Sequence, residues 1–453
     1  MSLAAAIHHR LWSRRPRALG RIPGPRPTFP LGNAGAFLRN PRPWEVCCRL
    51  HGEYGDYALL WLFHRPAVLL HDPDLIGEVL ERSWPDFPKA EPCRAMRPGV
   101  TASSPFIANG ADWERKRRAS PLLQPGAAGR IESEWPALAR VLEEQLRRRL
   151  GGPRRRADLA PDLLRVAFDG FSHLILGELL GDADYRSFSA VMRLVDARMK
   201  TNAPLWTPGF VRHRRRWWRC FTERLGREGG GGLLGALQRG ATIDRRSFAL
   251  EMANVFPGGL FSVTSTWTNA LALLALHPPV REELRGELDA LAAPSEAGLA
   301  DPARLPLLEG VLRETMRLYP AAPVTSRAVR SERPLGAHVL PRGTRILISN
   351  LPLHTDPAVW RRPREFAPER WDAATLARHP FGSAHFFPFG RGPRVCLGQD
   401  LALPFLRVAL ATAVTRFGLD VDPASALGQR YFFGCMMPVG IRGRLSERAA
   451  RAG

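Results

Sequence analysis

The sequence predicts a mainly α-helical protein with small, separate β-sheets. Apolar residues recur at helical spacing over several long stretches, whereas the alternating patterns typical of strands are few and short. Proline and glycine separate these stretches. The 453 residues can bury a large core, and no low-complexity linker divides them. We therefore expect one folded domain over residues 23–453, preceded by a basic tail over residues 1–22.

Three segments carry the clearest helical patterns. Between residues 135 and 146, four apolar residues are spaced three or four apart. A second predicted helix covers residues 262–276 and ends before a His-Pro pair. A third is predicted to begin at Asp301-Pro302 and to end at Pro320, because proline suits the first turn of a helix and cannot continue one.

Strand patterns are confined to short segments. The runs YALLWLF and PAVLL flank a turn near residues 64–66 and predict a β-hairpin. The run HVLPRGTRILIS predicts a second hairpin with its turn at Pro341-Arg342-Gly343. These segments favour small sheets beside a helical body.

Cysteine usage and hydropathy limit the cellular setting. The six cysteines show no CxxC spacing, which disfavours a zinc site or a dithiol motif. We expect a reducing, cytoplasmic setting. No transmembrane anchor is predicted, because no stretch reaches about 18 uninterrupted apolar residues. The N-terminal segment has several arginines and no acid before Glu45, so the alternative is a mitochondrial-type transit peptide or a peripheral membrane location.

The net charge of +22 comes almost entirely from arginine. The densest basic patch, VRHRRRWWRC at Val211–Cys220, is interpreted as the solvated face of an amphipathic helix. Nucleic-acid binding is the alternative interpretation, and we do not expect it. The charge favours an acidic protein partner, because complementary fields steer encounter.

The stretch FPFGRGPRVCLGQ, from residue 387 to residue 399, places a cysteine before an apolar helical run. Its glycines permit backbone shapes and close approaches that other residues resist. Exposed N–H groups at the start of a helix would favour Cys396 as a thiolate. Such a thiolate is either a nucleophile, which needs a nearby histidine base, or a soft ligand to haem iron. In the second case Phe389 supplies an apolar wall, and Arg394 supplies a cation for the haem carboxylates.

This stretch resembles the haem-binding signature of the cytochrome P450 family. The fixed positions of the signature are occupied by Phe389, Gly392, Arg394, Cys396 and Gly398. The resemblance implies the cytochrome P450 fold, with haem b (iron protoporphyrin IX) between the long central helix and the helix after the cysteine. It also implies that Cys396 is the iron ligand and that the rest of the signature contacts the cofactor.

Two further motifs follow the order that this family has. Glu314 and Arg317, in ETMR, share one helix face, and Arg370, in FAPERW, would complete the family's Glu-Arg-Arg network. This network is structural: its buried charges satisfy one another and hold the cysteine loop.

Other positions resemble the family's contacts to the haem propionates. Trp113 and Arg117, in DWERKR, are four residues apart and look like the WxxxR pair. Arg327, in VTSRAV, matches a further arginine of this kind. With these motifs the resemblance covers nearly the whole chain.

The central helix departs from the family pattern. The family usually has Ala/Gly-Gly-x-Asp/Glu-Thr here, and this chain has PGGLFSV, aligned through Gly258 and Gly259. Phe261 therefore replaces the acid and Ser262 replaces the threonine. An acid at this position conducts protons, and an alcohol positions water. Phe261 can do neither, whereas Ser262 keeps a hydroxyl group.

We predict a haem-thiolate oxygenase of specialised metabolism that acts on a hydrophobic small molecule of terpenoid, polyketide or fatty acyl type. It would use oxygen and electrons from a separate donor, an acidic ferredoxin or similar protein that docks near Arg391. Because Phe261 and Ser262 replace the acid–alcohol pair, redox-neutral or peroxide-driven chemistry is an alternative, namely rearrangement, cyclisation or dehydration. A non-catalytic haem carrier is the third alternative.

The resemblance also implies a substrate pocket and an assembly state. The predicted pocket residues and the segments near them are Phe256, Val324, Phe432 and Met436, with the chain around Phe106 and Leu205. No flavin or nicotinamide domain is expected beside the P450 domain. The predicted assembly is a monomer.

Overall fold

The structure is a computed structural model. It describes residues 19, 22–90, 104–123, 132–151, 157–201, 207–223, 232–233, 245–290 and 302–448. The predicted basic tail, apart from Leu19 and Ile22, lies outside the described residues, as does the predicted pocket segment around Leu205.

Helices make up most of the described chain. They are α1 (Ala34–Arg39), α2 (Pro43–Tyr54), α3 (Pro73–Gly77), α4 (Gly110–Arg118), α5 (Trp135–Leu150), α6 (Ala160–Leu176), α7 (Asp182–Thr201), α8 (Pro208–Thr222), α9 (Arg245–Leu276), α10 (Pro278–Asp289), α11 (Pro306–Leu318), α12 (Leu351–His354), α13 (Ala373–Arg378) and α14 (Gln399–Arg416).

The strands are short and form small sheets. They are β1 (Tyr57–Leu62), β2 (Arg65–Leu70), β3 (Ala157–Asp158), β4 (Val324–Ala328), β5 (Arg333–Leu335), β6 (His338–Leu340), β7 (Arg345–Ser349), β8 (Phe417–Val421), β9 (Gln429–Phe432), β10 (Cys435–Pro438) and β11 (Arg442–Glu447).

The chain divides into two compact units. The first is drawn from Met1–Arg94, Ala322–Glu365 and Ala373–Cys396, and the second from Ala95–Ala321, Phe366–Asp372 and Leu397–Gly453. The predicted mainly α architecture with separate sheets is confirmed, because the β-strands among the described residues fall into one sheet of four strands, one of three and two of two.

The first unit is built around the four-stranded sheet in the order β1-β2-β7-β4. The first predicted hairpin is confirmed, since β1 and β2 pair antiparallel with Leu59 opposite Val68. The middle strands pair in parallel, with Val68 opposite Ile346, and both of these side chains are fully buried. Buried β-branched residues on neighbouring strands hold this register, because a shift by one residue would expose them.

The second predicted hairpin is wrong. The turn forms where it was expected, with Thr344 N–H donating to Pro341 O at 3.1 Å. However, β6 pairs back with β5, and β7 joins the four-stranded sheet. The shorter connection through Gly336 closes the β5–β6 hairpin locally, so the apolar strand β7 is left to pair inside the larger sheet.

The second unit is built around α9, against which α6, α8, α11, α14 and β10 pack. Within the described chain, residues Ser247–Leu276 of α9 are long and apolar enough to cross a membrane, and 78% of the most apolar window is buried inside the protein. Core burial therefore accounts for the apolar character of this helix.

The helices α5 and α11 of the second unit correspond to two of the helices predicted from the sequence. The apolar stripe of α5 is confirmed, because its four predicted residues are all buried. The helix α11 begins at Pro306 rather than at Pro302, and residues 302–304 form a separate 3₁₀ turn. The start is set by a long-range cap: the Glu287 carboxylate accepts from the N–H groups of Leu307 and Leu308 at 2.7 and 2.9 Å.

Candidate functional site

Residues 387–396 of the cysteine stretch lie in the first unit, and backbone hydrogen bonds within the stretch hold its shape. The Cys396 N–H donates to Phe389 O at 2.9 Å, which closes the loop. Gly392 has a φ of +74°, and a Cβ on it would lie 2.1 Å from Leu80 O, so no other residue fits. Cys396 is exposed, whereas the other described cysteines are buried or half-buried. The loop thus presents a single accessible thiol immediately before α14.

The side chains around this loop are anchored within the same unit. Phe389 packs edge-on against Phe381, with ring centroids 5.3 Å apart. Arg391 donates from Nε to Glu81 Oε1 at 2.7 Å, so its charge is already balanced by a carboxylate. Arg394 lies over the ring of Trp84 at 5.7 Å. Of the two arginines, Arg391 serves to fix the loop to the segment after α3.

Arg327 and Val324 lie on β4 of the same unit. Arg327 is 5% exposed, and its Nη1 donates to Ser326 O at 3.0 Å and to Thr325 Oγ1 at 3.2 Å. Val324, at the first position of the strand, is half-buried. The strand pairing with β7 fixes both residues along one edge of the sheet.

The second unit brings Glu314, Arg317 and Arg370 together. Glu314 and Arg317 are fully buried, and the guanidinium donates twice to the carboxylate at 2.8 Å. Arg370 adds a third bond to it at 2.8 Å. Sequence reasoning missed two more donors, the Ala367 N–H at 3.1 Å and the Trp371 Nε1 at 3.0 Å. Five donors therefore surround one carboxylate.

A second buried ion cluster was not predicted. Glu309, on α11, accepts from Arg313 Nε at 2.7 Å. It also accepts from Arg407 Nε and Nη2, on α14, at 3.0 and 2.9 Å. The spacing of Glu309 and Arg313 on one helix face was visible in the sequence. The other sign of a buried ion cluster in the sequence was Arg407, an arginine inside the otherwise apolar α14. The cluster fixes α14, which begins three residues after Cys396, against α11.

Trp113 and Arg117 lie together on α4. The guanidinium carbon of Arg117 is 5.7 Å from the centroid of the Trp113 ring, and Trp113 is 5% exposed. The four-residue spacing therefore places both on one helix face, as predicted from the sequence. Their contact with a haem propionate stays a prediction.

Gly258, Gly259 and Ser262 lie on α9. A Cβ on Gly259 would be 2.7 Å from the Phe171 ring of α6, so this glycine permits the close packing of the two helices. Ser262 Oγ donates to Gly259 O at 3.0 Å or to Gly258 O at 3.2 Å. The hydroxyl is thus held against its own helix and has its oxygen lone pairs available as acceptors.

Phe261 lies in an aromatic cluster. It is 2% exposed and stacks on Phe188 of α7, with ring centroids 5.8 Å apart and an angle of 18° between the planes. It also contacts Phe432 at 5.2 Å and Phe433 at 5.4 Å. The side chain predicted to stand in place of the family's acid is therefore a packing element that joins α7, α9 and the β9–β10 hairpin.

Phe256, five residues before Phe261, is fully buried. Its ring lies 5.0 Å from that of Trp217 and 5.2 Å from that of Phe168, on α8 and α6. These contacts place it among core side chains, and its role in a substrate pocket stays a prediction.

The β9–β10 hairpin carries Phe432 and Met436 and is bound to two helices. Ser265 Oγ donates to Met436 O, and Gln429 Nε2 donates to Asn269 Oδ1 at 2.6 Å. On the other side, the Phe433 N–H donates to Asp196 Oδ1, on α7, at 2.8 Å. The hairpin is therefore held by hydrogen bonds as well as by aromatic contacts.

A titratable carboxyl is buried at the other end of α9. Glu251 is 5% exposed, and burial raises its pKa to about 7, although a hydrogen bond with Ser120 opposes the rise. A folded-state pKa above the ordinary value of 4.5 means that the folded protein binds this proton more tightly than the unfolded chain does. The protonated Glu251 carboxyl makes its full contribution to the free energy of unfolding below about pH 4.5, and this contribution is lost as the pH rises through about 7.

Replacing Glu251 with glutamine is therefore expected to stabilise the protein at pH 8 by about 3 kcal/mol relative to the parent. The amide mimics the neutral carboxyl, so the two proteins should unfold alike near pH 4.5. Urea unfolding midpoints of both proteins at the two pH values measure the difference. An equal difference at both pH values would contradict the expected titration.

The residues present fit a haem. In the described part of the chain, no group of three or more histidine, cysteine or acidic residues could hold a bare metal ion. A porphyrin supplies four ligands itself, so its iron needs only one soft donor from the protein, and the exposed Cys396 thiol has that chemistry. Arginines also occur in the cysteine signature (Arg394) and in the WxxxR pair (Arg117), and these would bind the carboxylates of the cofactor.

Comparisons with known proteins agree on one family. A family model described as Cytochrome P450 matches residues 22–227 and 235–438. The mitochondrial 25-hydroxyvitamin D-1 alpha hydroxylase of Rattus norvegicus is 31% identical, covering 90% of each chain. The human protein of that name is 28% identical, covering 94% of this chain and 92% of the relative.

More distant comparisons extend this result. Cytochrome P450 714D1 of Oryza sativa subsp. japonica is 27% identical over 82% of this chain and 72% of its own length. Among solved structures, the heme domain of cytochrome P450DA superposes with a TM-score of 0.80 at 22% identity, covering 94% of this chain and 97% of that one. This likeness confirms the predicted fold.

Proposed function

The chain belongs to the cytochrome P450 family and is a haem b monooxygenase, and from that premise we propose that Cys396 is the axial ligand of the iron. The supporting observation is the loop in which Cys396 N–H bonds to Phe389 O and the thiol is exposed before α14. When bound, haem supplies the iron at which oxygen is activated for insertion into a substrate bond. We include residues 23–453 in the catalytic domain.

The proposed substrate is a hydrophobic, terpenoid-derived molecule, with polyketides and fatty acyl chains as the next classes. Two observations support a hydrophobic substrate of this kind. The aromatic cluster of Phe261, Phe432 and Phe433 makes the region beside Ser262 apolar. In addition, relatives carry names of hydroxylases for 25-hydroxyvitamin D and, over 45% of this chain, for a steroid. The apolar surroundings suit all three classes, and the names of the relatives favour a sterol-like molecule among them.

A ligand panel tests the substrate class. Sterols, fatty acids and polyketides are titrated into the haem-loaded protein while the visible spectrum of the haem is recorded. An apolar ligand that displaces water from the haem iron shifts the visible spectrum. We expect the sterols to cause this shift at lower concentrations than the fatty acids or the polyketides. A shift for fatty acids alone would reject the terpenoid assignment.

We assign Ser262 to positioning the water that delivers protons during oxygen activation. Its hydroxyl is bonded to the helix backbone and can accept from water, and Phe261 beside it carries no exchangeable proton. The proposal that competes with this one is redox-neutral or peroxide-driven chemistry, which the same replacement of the acid by Phe261 favours.

Replacing Ser262 with alanine is expected to lower oxygen-dependent product formation by about 100-fold, the lower end of the usual range for positioned acid–base groups. Reductant should still be consumed, because electron delivery does not involve this side chain. Ser262→Thr keeps the hydroxyl and should stay near the parent. Product and reductant are measured together with a surrogate ferredoxin and reductase. Unchanged product formation by Ser262→Ala without oxygen or electrons would favour the redox-neutral alternative.

Electrons come from a separate partner protein, and we propose an acidic ferredoxin as that partner and a monomer as the working form. The net charge of +22 supports this choice. Because Arg391 is paired with Glu81, the docking charge is assigned to other arginines. A cytoplasmic location is proposed, and a mitochondrial one is the alternative, since two relatives carry that word in their names.

A further inference from the structure

A polar cavity lies in the second unit, between α5, α6 and the segment that leads into α7. Its volume is about 270 Å³, and side chains from all three of these elements line it. A water molecule occupies about 30 Å³ in the liquid, so the space can hold a small organic ion. None of the residues assigned to haem or to substrate lines it.

One arginine of the cavity is fully engaged. Arg165 donates from Nε to Asp169 Oδ1 at 3.0 Å and from Nη2 to Leu180 O at 3.2 Å. Its Nη1 lies 2.9 Å from Asp182 Oδ1. Arg165 therefore forms a fixed part of the cavity wall, and most of its N–H donors are already used in these contacts.

Two other arginines keep donors for a ligand. Arg149 donates a hydrogen bond from Nη2 to Asp169 Oδ2 at 3.1 Å. Its Nε is buried and has no hydrogen-bond partner among the described residues. Arg148 is exposed at the mouth and has no ion pair within the described part of the chain. Adjacent guanidinium groups of this kind suit an anion with several acceptor oxygens.

A buried amide completes the donor set. Gln145 is 1% exposed and lines the cavity. A buried amide needs hydrogen-bond partners, and the cavity is a place where water or a ligand can supply them. Gln145 lies one turn before Arg148 and Arg149 on α5, so the three share one side of the helix.

The charges in the cavity favour an anion. Three arginines and two aspartates line it, which leaves one positive charge in excess. Both oxygens of Asp169 are taken by arginines, and Asp182 is 74% exposed, so water screens its repulsion. The twenty-residue helix α7 begins at Asp182, and its N-terminal dipole adds to the attraction.

We propose that this cavity is a second ligand site that binds a phosphoryl oxyanion, either inorganic phosphate or the phosphate of a monoester, through Arg148, Arg149 and Gln145. A tetrahedral dianion matches donors that converge from two guanidinium groups and one amide. The bound anion joins α5 and α6 to the start of α7, the helix that carries Phe188 and Asp196. Binding should therefore stabilise the fold.

The test uses the full-length, haem-loaded protein. Inorganic phosphate and glycerol 3-phosphate are titrated separately by isothermal calorimetry, with sodium chloride keeping the ionic strength constant. One saturable site per chain and a rise in unfolding temperature are expected. Equal affinities would identify free phosphate as the ligand, and tighter binding of the monoester would identify an organic phosphate. No saturable binding beyond the chloride control overturns the proposal.

Variants separate this site from the general attraction of a basic protein for anions. Arg148→Gln and Gln145→Leu should each weaken phosphate binding by about tenfold or more. Arg147→Gln is the matched control, because Arg147 is the neighbouring arginine, is paired with Glu143 and does not line the cavity. If Gln145→Leu misfolds, Arg148→Gln decides alone. Equal weakening by Arg147→Gln and Arg148→Gln would reject a specific site.

Discussion

Replacing Cys396 with histidine is expected to abolish the absorption band for which the family is named, in the reduced protein treated with carbon monoxide. A thiolate pushes electron density onto the iron, and a neutral imidazole does not. Haem binding should survive in part, whereas oxygen-dependent product formation should fall below detection. The reduced carbon monoxide spectrum and the turnover of a responsive sterol measure the two effects.

Cys48→Ser is the matched control for this prediction. Cys48 is half-buried on α2 and lies in the same unit as the cysteine loop, so its replacement tests the loss of a thiol without loss of the ligand. Its spectrum and turnover should match those of the parent. A histidine variant that kept the parent spectrum would mean that another residue binds the iron, and the assignment of Cys396 would be wrong.

Local motifs made much of the fold and of the candidate site predictable. Arg317 follows Glu314 at a spacing that places both on one helix face, so their contact could be inferred from the sequence. The apolar stripe of α5 and the β1–β2 hairpin were predictable for the same reason. In each case the decisive interaction joins residues close in the chain.

Interactions between distant segments were not predictable in the same way. Arg407 reaches the Glu309 carboxylate from a helix 98 residues further along the chain. An arginine inside an apolar helix indicates a buried partner, but no local pattern identifies Glu309 as that partner. The strand β7 does not form its predicted hairpin, because β6 pairs with β5 and β7 pairs with the distant strand β2. Phe261 is predicted to replace an acid, but its stacking on Phe188 depends on how α7 packs against α9 and could not be predicted.

The Glu314 network links this local pattern to its distant partners, and Glu314→Gln is expected to lower the free energy of unfolding by about 3–5 kcal/mol. Glutamine keeps one acceptor oxygen but turns an N–H₂ group towards donors. The fully buried Arg317 would then lose the carboxylate that accepts two of its hydrogen bonds, and its charge would lose the balance that this carboxylate gives it. Urea unfolding, followed by circular dichroism and by release of haem, measures the loss.

Glu143, a carboxylate that is only half-buried, provides the comparison that makes this prediction specific to burial. Glu143 pairs with Arg147 at 2.8 Å on the surface of α5, where water can replace a lost partner. Glu143→Gln should therefore change the free energy of unfolding by about 1 kcal/mol or less. If the two variants lost the same stability, the burial of the Glu314 charges would not be what makes that network strong. If Glu314→Gln alone released haem at lower urea, its carboxylate would be needed for retention of the cofactor as well as for stability.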